Sequence, residues 1–401
     1  MKLSSQAKKA VQIGTLCSVS YLAVYIARNI LGAVTPQMIE GGYSEEYIGQ
    51  ISFLYFICYA VGQLINGAIG DKIHAKWMIC AGLFGAGVMN VVFANVTAYH
   101  ELAMLVYGMT GFCLSMIYGP MTKVVSENTE PIYATRCSLG YTFASLLGSP
   151  MAGVLASFLA WQWAFGVSSA ALLIMALLGF SVFTVFERRG LIRYNQYKPQ
   201  KKGIGNIGVL IRHQIIKFSI ISVLTGVVRT SVVFWLPTYL AQYLGFSSQN
   251  AAMIFTVVTF LISLTAFGAI FIYEKLGRNM ELTILLMFLS SVCFFILTYL
   301  VSISALNIVF IVLAIMSSNG AANMLWSRYC PSLRDTGMVS SATGFLDFLS
   351  YIAAALANLV FANAATSIGW KNLILVWLSL MVVGVVISLP YKHWFGRAKT
   401  E

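Results

Sequence analysis

The chain has 401 residues, 59% of them hydrophobic and only 9% charged, with a mean hydropathy of +0.82. A soluble domain is nearer a quarter charged; this much apolar surface exceeds what a soluble fold of this length can bury, so lipid must be the solvent for much of it. The net charge of +12 would point to nucleic acid in a soluble protein; here it reads as basic loops on one side of a membrane, with no nucleic-acid partner.

A span takes about 20 mostly apolar residues. Twelve are predicted, at residues 12–37, 47–69, 76–95, 102–125, 137–160, 163–186, 214–243, 249–273, 281–301, 304–326, 337–362 and 371–391. Lys2, Lys8 and Lys9 precede the first, which contains Arg28. It lacks a small-residue cleavage site and reads as a span, not a signal peptide. The first outer loop carries Glu40, Glu45 and Glu46. After the second span comes Gly67-Ala68-Ile69-Gly70-Asp71-Lys72-Ile73-His74-Ala75-Lys76. Between the sixth and seventh lies a basic linker, 187–212, with Arg188, Arg189, Arg193, Lys198, Lys201, Lys202 and Arg212. The seventh span contains Arg229 and the eleventh Asp347. Apart from Arg28, Arg229 and Lys371, the remaining 22 of 25 basic residues fall on one side, which the positive-inside bias makes cytoplasmic. Both termini are therefore expected in the cytoplasm of a multi-pass plasma (inner) membrane protein.

The spans repeat. Arg28 and Pro36 are eight residues apart, as are Arg229 and Pro237. Gly42-Tyr43-Ser44 matches Gly245-Phe246-Ser247, Asp71-Lys72 matches Glu274-Lys275, and Gly140-Tyr141 matches Gly344-Phe345, all near one offset. The expected fold is an all-α polytopic membrane protein whose twelve helices form two pseudo-symmetric halves. They divide as a six-helix bundle at 1–186, the linker at 187–212 and a second bundle at 213–401. Parallel repeats of this kind are described for the major facilitator superfamily, whose substrate sites lie near the midplane. The loop with Gly67, Gly70, Asp71 and Lys72 resembles that superfamily's loop signature, with Glu274 in a degenerate second copy. The resemblance implies a cytoplasmic gate.

A charge at membrane depth is costly and marks function. Arg28 and Arg229 occupy repeat-equivalent places, and neither has an acid within one helical turn. Arginine stays protonated, and its planar fork matches carboxylate and phosphate. The bland alternative is that each caps a carbonyl or pairs with a distant acid such as Asp347. Tyr21, Tyr25 and Arg28 share one helical face, and Tyr55, Tyr59, Gln63 and Asn66 form another. These rows either line a cavity or pack between helices. Asp347 either pairs with an arginine or carries a proton. No nucleophile–base motif, metal-ligand spacing or GxxxxGK[ST] loop occurs, so neither an enzyme, a metal, a cofactor nor a nucleotide-driven pump is expected.

Tyr21-Leu22-Ala23-Val24-Tyr25-Ile26-Ala27-Arg28 resembles the first helix of the organophosphate:phosphate antiporters. Arg229 through Leu240, with Phe234-Trp235-Leu236-Pro237-Thr238-Tyr239, resembles their seventh. The resemblance implies that the arginines bind a substrate phosphate beside Tyr21, Tyr25 and Tyr59. It further implies exchange of a small organic phosphate for inorganic phosphate by rocker-switch alternating access, in a monomer. Two departures stand out: Gln63 and Ala144 replace a lysine and a histidine of the glycerol-phosphate members. Asp347 adds a carboxylate. The alternatives are a proton-coupled organic-anion transporter using Asp347 and a transporter-like sugar-phosphate sensor.

Overall fold

The computed structural model of the chain describes residues 4–70, 73–194, 207–333 and 339–389. Asp71 and Lys72 of the loop signature lie outside these. Twelve membrane-scale helices follow one another: α1 (Ser5–Glu40), α2 (Glu45–Gly70), α3 (Ala75–Val96), α4 (His100–Asn128), α5 (Pro131–Phe158), α6 (Trp161–Arg188), α7 (Ile215–Gln242), α8 (Ser248–Lys275), α9 (Met280–Leu300), α10 (Ser304–Tyr329), α11 (Val339–Ser367) and α12 (Gly369–Ser388). Among the described residues, eleven contain a stretch long and apolar enough to cross a membrane, and α5 contributes the shorter apolar segment Phe143–Phe158. This is the all-α polytopic architecture expected. With no water in a bilayer core, a spanning backbone must close its hydrogen bonds internally, which a helix does.

Helix ends follow local chemistry more than hydropathy. At 36 residues α1 runs about 54 Å, beyond the roughly 30 Å of a hydrocarbon core. It begins earlier than predicted because the Ser4 hydroxyl accepts from the Ala7 N–H at 3.1 Å, an N-cap that apolar windows do not see. Likewise α11 passes the predicted end at 362 and stops at Ser367, just before Gly369 (φ 79°). The repeated Gly-aromatic-Ser triplets share one local structure. Gly42 (φ 96°) and Gly245 (φ 76°) both take the left-handed conformation that turns the chain out of a helix. The Ser44 hydroxyl accepts from the Tyr47 N–H at 3.2 Å, and the Ser247 hydroxyl accepts from the Asn250 N–H at 3.3 Å, so each serine starts the next helix.

Two helices break and two widen. α4 is interrupted between Ser115 and Tyr118, where Pro120 has no N–H for the carbonyl of Met116. α8 is interrupted at Leu264, after Thr259 and Ser263 turn their hydroxyls back onto carbonyls one turn earlier. Val227–Val232 in α7 and Leu325–Tyr329 in α10 are π-helical turns, a feature that gathers at functional sites.

By packing, the chain groups into two compact units. One comprises 1–201, 233–263 and 355–363; the other comprises 202–232, 264–354 and 364–401. In the first, α1 lies along α5, α2 along α4 and α3 along α6, and Val233–Ser263 packs on α1 and α5. Its core includes Phe93, Tyr107, Phe165, Phe183, Trp235 and Tyr239. In the second, α9 packs between α10 and α12, around Phe288, Phe295 and Trp377.

Candidate substrate-binding site

In the first unit the residues singled out on α1 and α2 come together around Arg28. Its guanidinium carbon lies 5.2 Å from the ring centre of Tyr59, 5.7 Å from Tyr25 and 6.0 Å from Phe56. Ring faces attract a cation electrostatically. The planar guanidinium among them matches the geometry of a carboxylate or phosphate. Tyr25 and Arg28 are half-buried, Tyr59 and Phe56 buried. The spacing of 21, 25 and 28 puts Tyr21 below Tyr25 on the same face, and their rings meet edge to face at 5.0 Å. Gln63, one turn beyond Tyr59, is half-buried.

The other two members of the α2 row belong to packing. Asn66 donates to the Ser115 hydroxyl at 2.7 Å, pinning α2 to α4 beside the break. Tyr55 is buried and stacks on Tyr107 at 5.0 Å. Two tyrosines extend the cluster: Tyr118, and Tyr141, which the sequence marked only as part of the repeat. Tyr118 follows the break in α4, is 44% exposed, and places its ring 5.4 Å from Tyr21 and 6.4 Å from Tyr141. The Gly119-Pro120 pair after Tyr118 is the one sequence signal that marks it. α5 approaches α1 closely here: a methyl group built on Gly148 would collide with Tyr25.

In the second unit Arg229 sits on the π turn of α7. Its Nη2 is buried, makes no hydrogen bond among the described residues, and lies 3.9 Å from Oδ1 of Asp347 on α11. That is ion-pair range but beyond hydrogen-bond length. The side chains remain partly open, at 32% and 27% exposure. Trp326, on the π turn of α10, places its ring 6.0 Å from the guanidinium. Two serines hold this register. The Ser222 hydroxyl donates to the carbonyl of Leu346 and the Ser231 hydroxyl to that of Ala354, both at 2.8 Å, so α7 and α11 are tied on either side of the pair. No sequence pattern distinguishes those serines or Trp326, since their partners lie on helices far along the chain.

The loop-signature residues are described only in part. Gly67 and Gly70 end α2, and Glu274 is exposed in the last turn of α8. At the start of α3, Lys76 forms a 2.6 Å ion pair with Glu187, whose other oxygen accepts from the Tyr194 hydroxyl at 2.7 Å. His74 stacks on Tyr194 at 4.5 Å. Burial, then the bond to Glu187, holds the Tyr194 phenol above its ordinary range, so it stays a donor. Among the described residues no group of three or more His, Cys, Asp or Glu is placed to hold a metal ion.

Arg28 and Arg229 each lie within a helix long and apolar enough to cross a membrane. The family model described as Major Facilitator Superfamily matches residues 17–358. The chain belongs to the Major Facilitator Superfamily. Its solved likenesses carry that fold. A D-xylose-proton symporter superposes with a TM-score of 0.73, covering 95% of this chain and 97% of that one at 12% identity. A mutant of the nucleoside transporter NupG does so with a TM-score of 0.74, covering 95% and 98% at 15% identity. Among curated relatives, this superfamily member is 25% identical to the phosphoglycerate transporter protein of Salmonella typhimurium, over 95% of this chain and 88% of that one. It is 21% identical to the membrane sensor protein UhpC of Escherichia coli, over 93% and 90%. The likeness to organophosphate carriers read from helices 1 and 7 is thus borne out by full-length relatives.

Proposed function

We propose that this protein is a secondary active transporter of a small anionic metabolite, an organic phosphate such as a sugar or glycerol phosphate. It exchanges that substrate for inorganic phosphate by rocker-switch alternating access. The observation that carries the reading is Arg28, a permanent cation at membrane depth ringed by Tyr25, Phe56 and Tyr59. Arginine stays protonated, and phosphate matches its planar fork. Arg229 adds a buried Nη2 that makes no hydrogen bond among the described residues. On the family's pattern Arg28 and Arg229 are each substrate-binding, as are Tyr21, Tyr25, Tyr59 and Gln63, and Gly67, Gly70, Asp71, Lys72 and Glu274 act as the cytoplasmic gate. The six-plus-six division at the 187–212 linker, the plasma (inner) membrane, cytoplasmic termini, a monomeric state and the lack of enzymatic activity belong to the same proposal.

The phosphoglycerate-transporter relative supports transport; the UhpC sensor relative favours a second reading, binding without flux. Proton coupling through Asp347 is the further alternative. Proteoliposomes loaded with radiolabelled phosphate separate these. Efflux on adding phosphate or a phosphate ester, at two pH values, is the expected result. Binding with no flux supports the sensor. Flux that follows a pH gradient without counter-phosphate supports proton coupling.

A further inference from the structure

Within the first unit, the core shared by α3, α4 and α6 holds polar atoms that the packing leaves unmatched. Asn90 on α3 and Ser168 on α6 are 0% exposed, and Tyr107 on α4 is 1% exposed. Among the described residues, neither amide atom of Asn90, nor the Tyr107 hydroxyl, nor the Ser168 hydroxyl has a hydrogen-bond partner. Their neighbours behave otherwise. Ser169 donates to the Phe165 carbonyl at 2.7 Å and Asn95 to the Val91 carbonyl at 2.8 Å, the usual return of a polar side chain to its own helix. Helix register brings the unmatched groups to one level. Phe93 of α3 meets Phe165 of α6 with ring centres 5.0 Å apart, and a methyl group built on Gly87 would press on Leu172 and Leu173. Asn90 lies midway between Phe93 and Gly87, and Ser168 lies between Phe165 and Leu172, so these antiparallel helices set the two level. On α4, Gly82 approaches Met116 and Gly85 approaches Cys113; the same counting sets Asn90 level with Tyr107 and Gly108. The Tyr107 ring is 4.7 Å from Phe93 and 6.1 Å from Phe165, within the same junction.

We infer that this junction binds an ordered water, hydrogen-bonded at once to the Asn90 amide, the Tyr107 hydroxyl and the Ser168 hydroxyl. Water both donates and accepts, as all three groups do, and a buried water typically makes about three hydrogen bonds. Asn90, Tyr107 and Ser168 lie within spans, where lipid offers no hydrogen bonds and an unpaired amide is costly. The three groups are neutral, so an ion bound among them would be an uncompensated buried charge, whereas water adds none. The site is separate from the arginines, and the inference does not rest on the phosphate reading. Tyr107 also stacks on Tyr55 at 5.0 Å, and the Tyr55 ring lies 6.3 Å from that of Tyr59, so the hydrated junction backs the aromatic wall around Arg28.

The sign of a stability change tests this in the purified full-length protein. Tyr107→Phe and Ser168→Ala each delete one hydroxyl with little change of shape. If water bonds those hydroxyls, each variant takes a partner from it and should lower the midpoint of thermal unfolding by about 2 °C or more. If the hydroxyls are unpaired, deleting them removes a buried polar cost and the midpoint rises. An electron cryomicroscopy or crystal structure of the wild type, fine enough to show buried waters elsewhere in the chain, reads the site directly. It should place one water about 2.6 to 3.2 Å from all three groups. A midpoint that is unchanged or raised in either hydroxyl variant overturns the inference. So does a structure in which the Asn90 amide bonds Tyr107 or Ser168 directly, or in which nothing bridges the three.

Discussion

At the scale of single residues, the chemistry rests on guanidinium geometry. Arg28 lies 5.2 Å from the Tyr59 ring centre and Arg229 lies 6.0 Å from Trp326. A lysine keeps the charge but loses the planar fork and part of the ring contact. Arg28→Lys and Arg229→Lys should each reduce phosphate exchange by about ten- to hundredfold, the worth of one or two charge-assisted hydrogen bonds. Expression and thermal unfolding in detergent should stay near wild type. Wild-type flux in either variant would remove that arginine from the site. The two arginines were legible in the sequence because charge at membrane depth is rare and theirs repeats. Phe56 and Trp326 were not, because an aromatic at helical spacing is ordinary core until a cation is found against it.

At the scale of elements, what matters is how closely helices approach and where they depart from α geometry. α1 and α5 meet where Gly148 faces Tyr25, and small residues permit such contacts between membrane helices. Gly148→Val should push α5 off α1, displace Tyr25 and cut exchange by about tenfold or more, since a 1 Å misplacement of a binding group is felt strongly. The atoms met are Cβ and the backbone of Tyr25, which alanine keeps, so a paired Tyr25→Ala change should not recover thermal stability. Unchanged flux in Gly148→Val would show that Tyr25 is not held by this contact. The π turns at Val227–Val232 and Leu325–Tyr329 carry Arg229 and Trp326, yet nothing in their composition announces a wider turn. Their backbone pattern is decided by packing, as is the break in α8. The break in α4, by contrast, has a local cause in Pro120.

At the scale of the whole molecule, the first unit has its own anchor where the chain leaves α6. Lys76 and Glu187 join α3 to α6 at 2.6 Å, and Tyr194 ties the following segment to the same carboxylate. The Arg193 N–H donates to the Asn128 side chain at 2.7 Å, adding α4. Lys76→Met should leave a largely buried carboxylate uncompensated and lower stability by about 1 to 3 kcal/mol. Lys76→Met with Glu187→Leu should recover much of that loss, because removing both charges removes the desolvation cost. Thermal unfolding of the purified protein reads both. Equal stability of the wild type and the single variant would show the pair to be dispensable.

Membrane residence, twelve helices and the repeat were readable along the chain because each is a local or periodic property: apolar runs set by bilayer thickness, charge sorted by side, and motifs at a common offset. The same holds for Arg28 with Tyr21 and Tyr25, which share a helical face by spacing alone. Pairings between distant segments were not readable. Arg229 and Asp347 are 118 positions apart, and the sequence left pairing and proton binding as alternatives. Their 3.9 Å approach depends on serine bonds from Ser222 and Ser231 to carbonyls of α11. Tyr118 reaches Tyr21 only because α4 breaks beside it. Such contacts come from how helices dock, and docking is a property of the packed chain that no single segment carries.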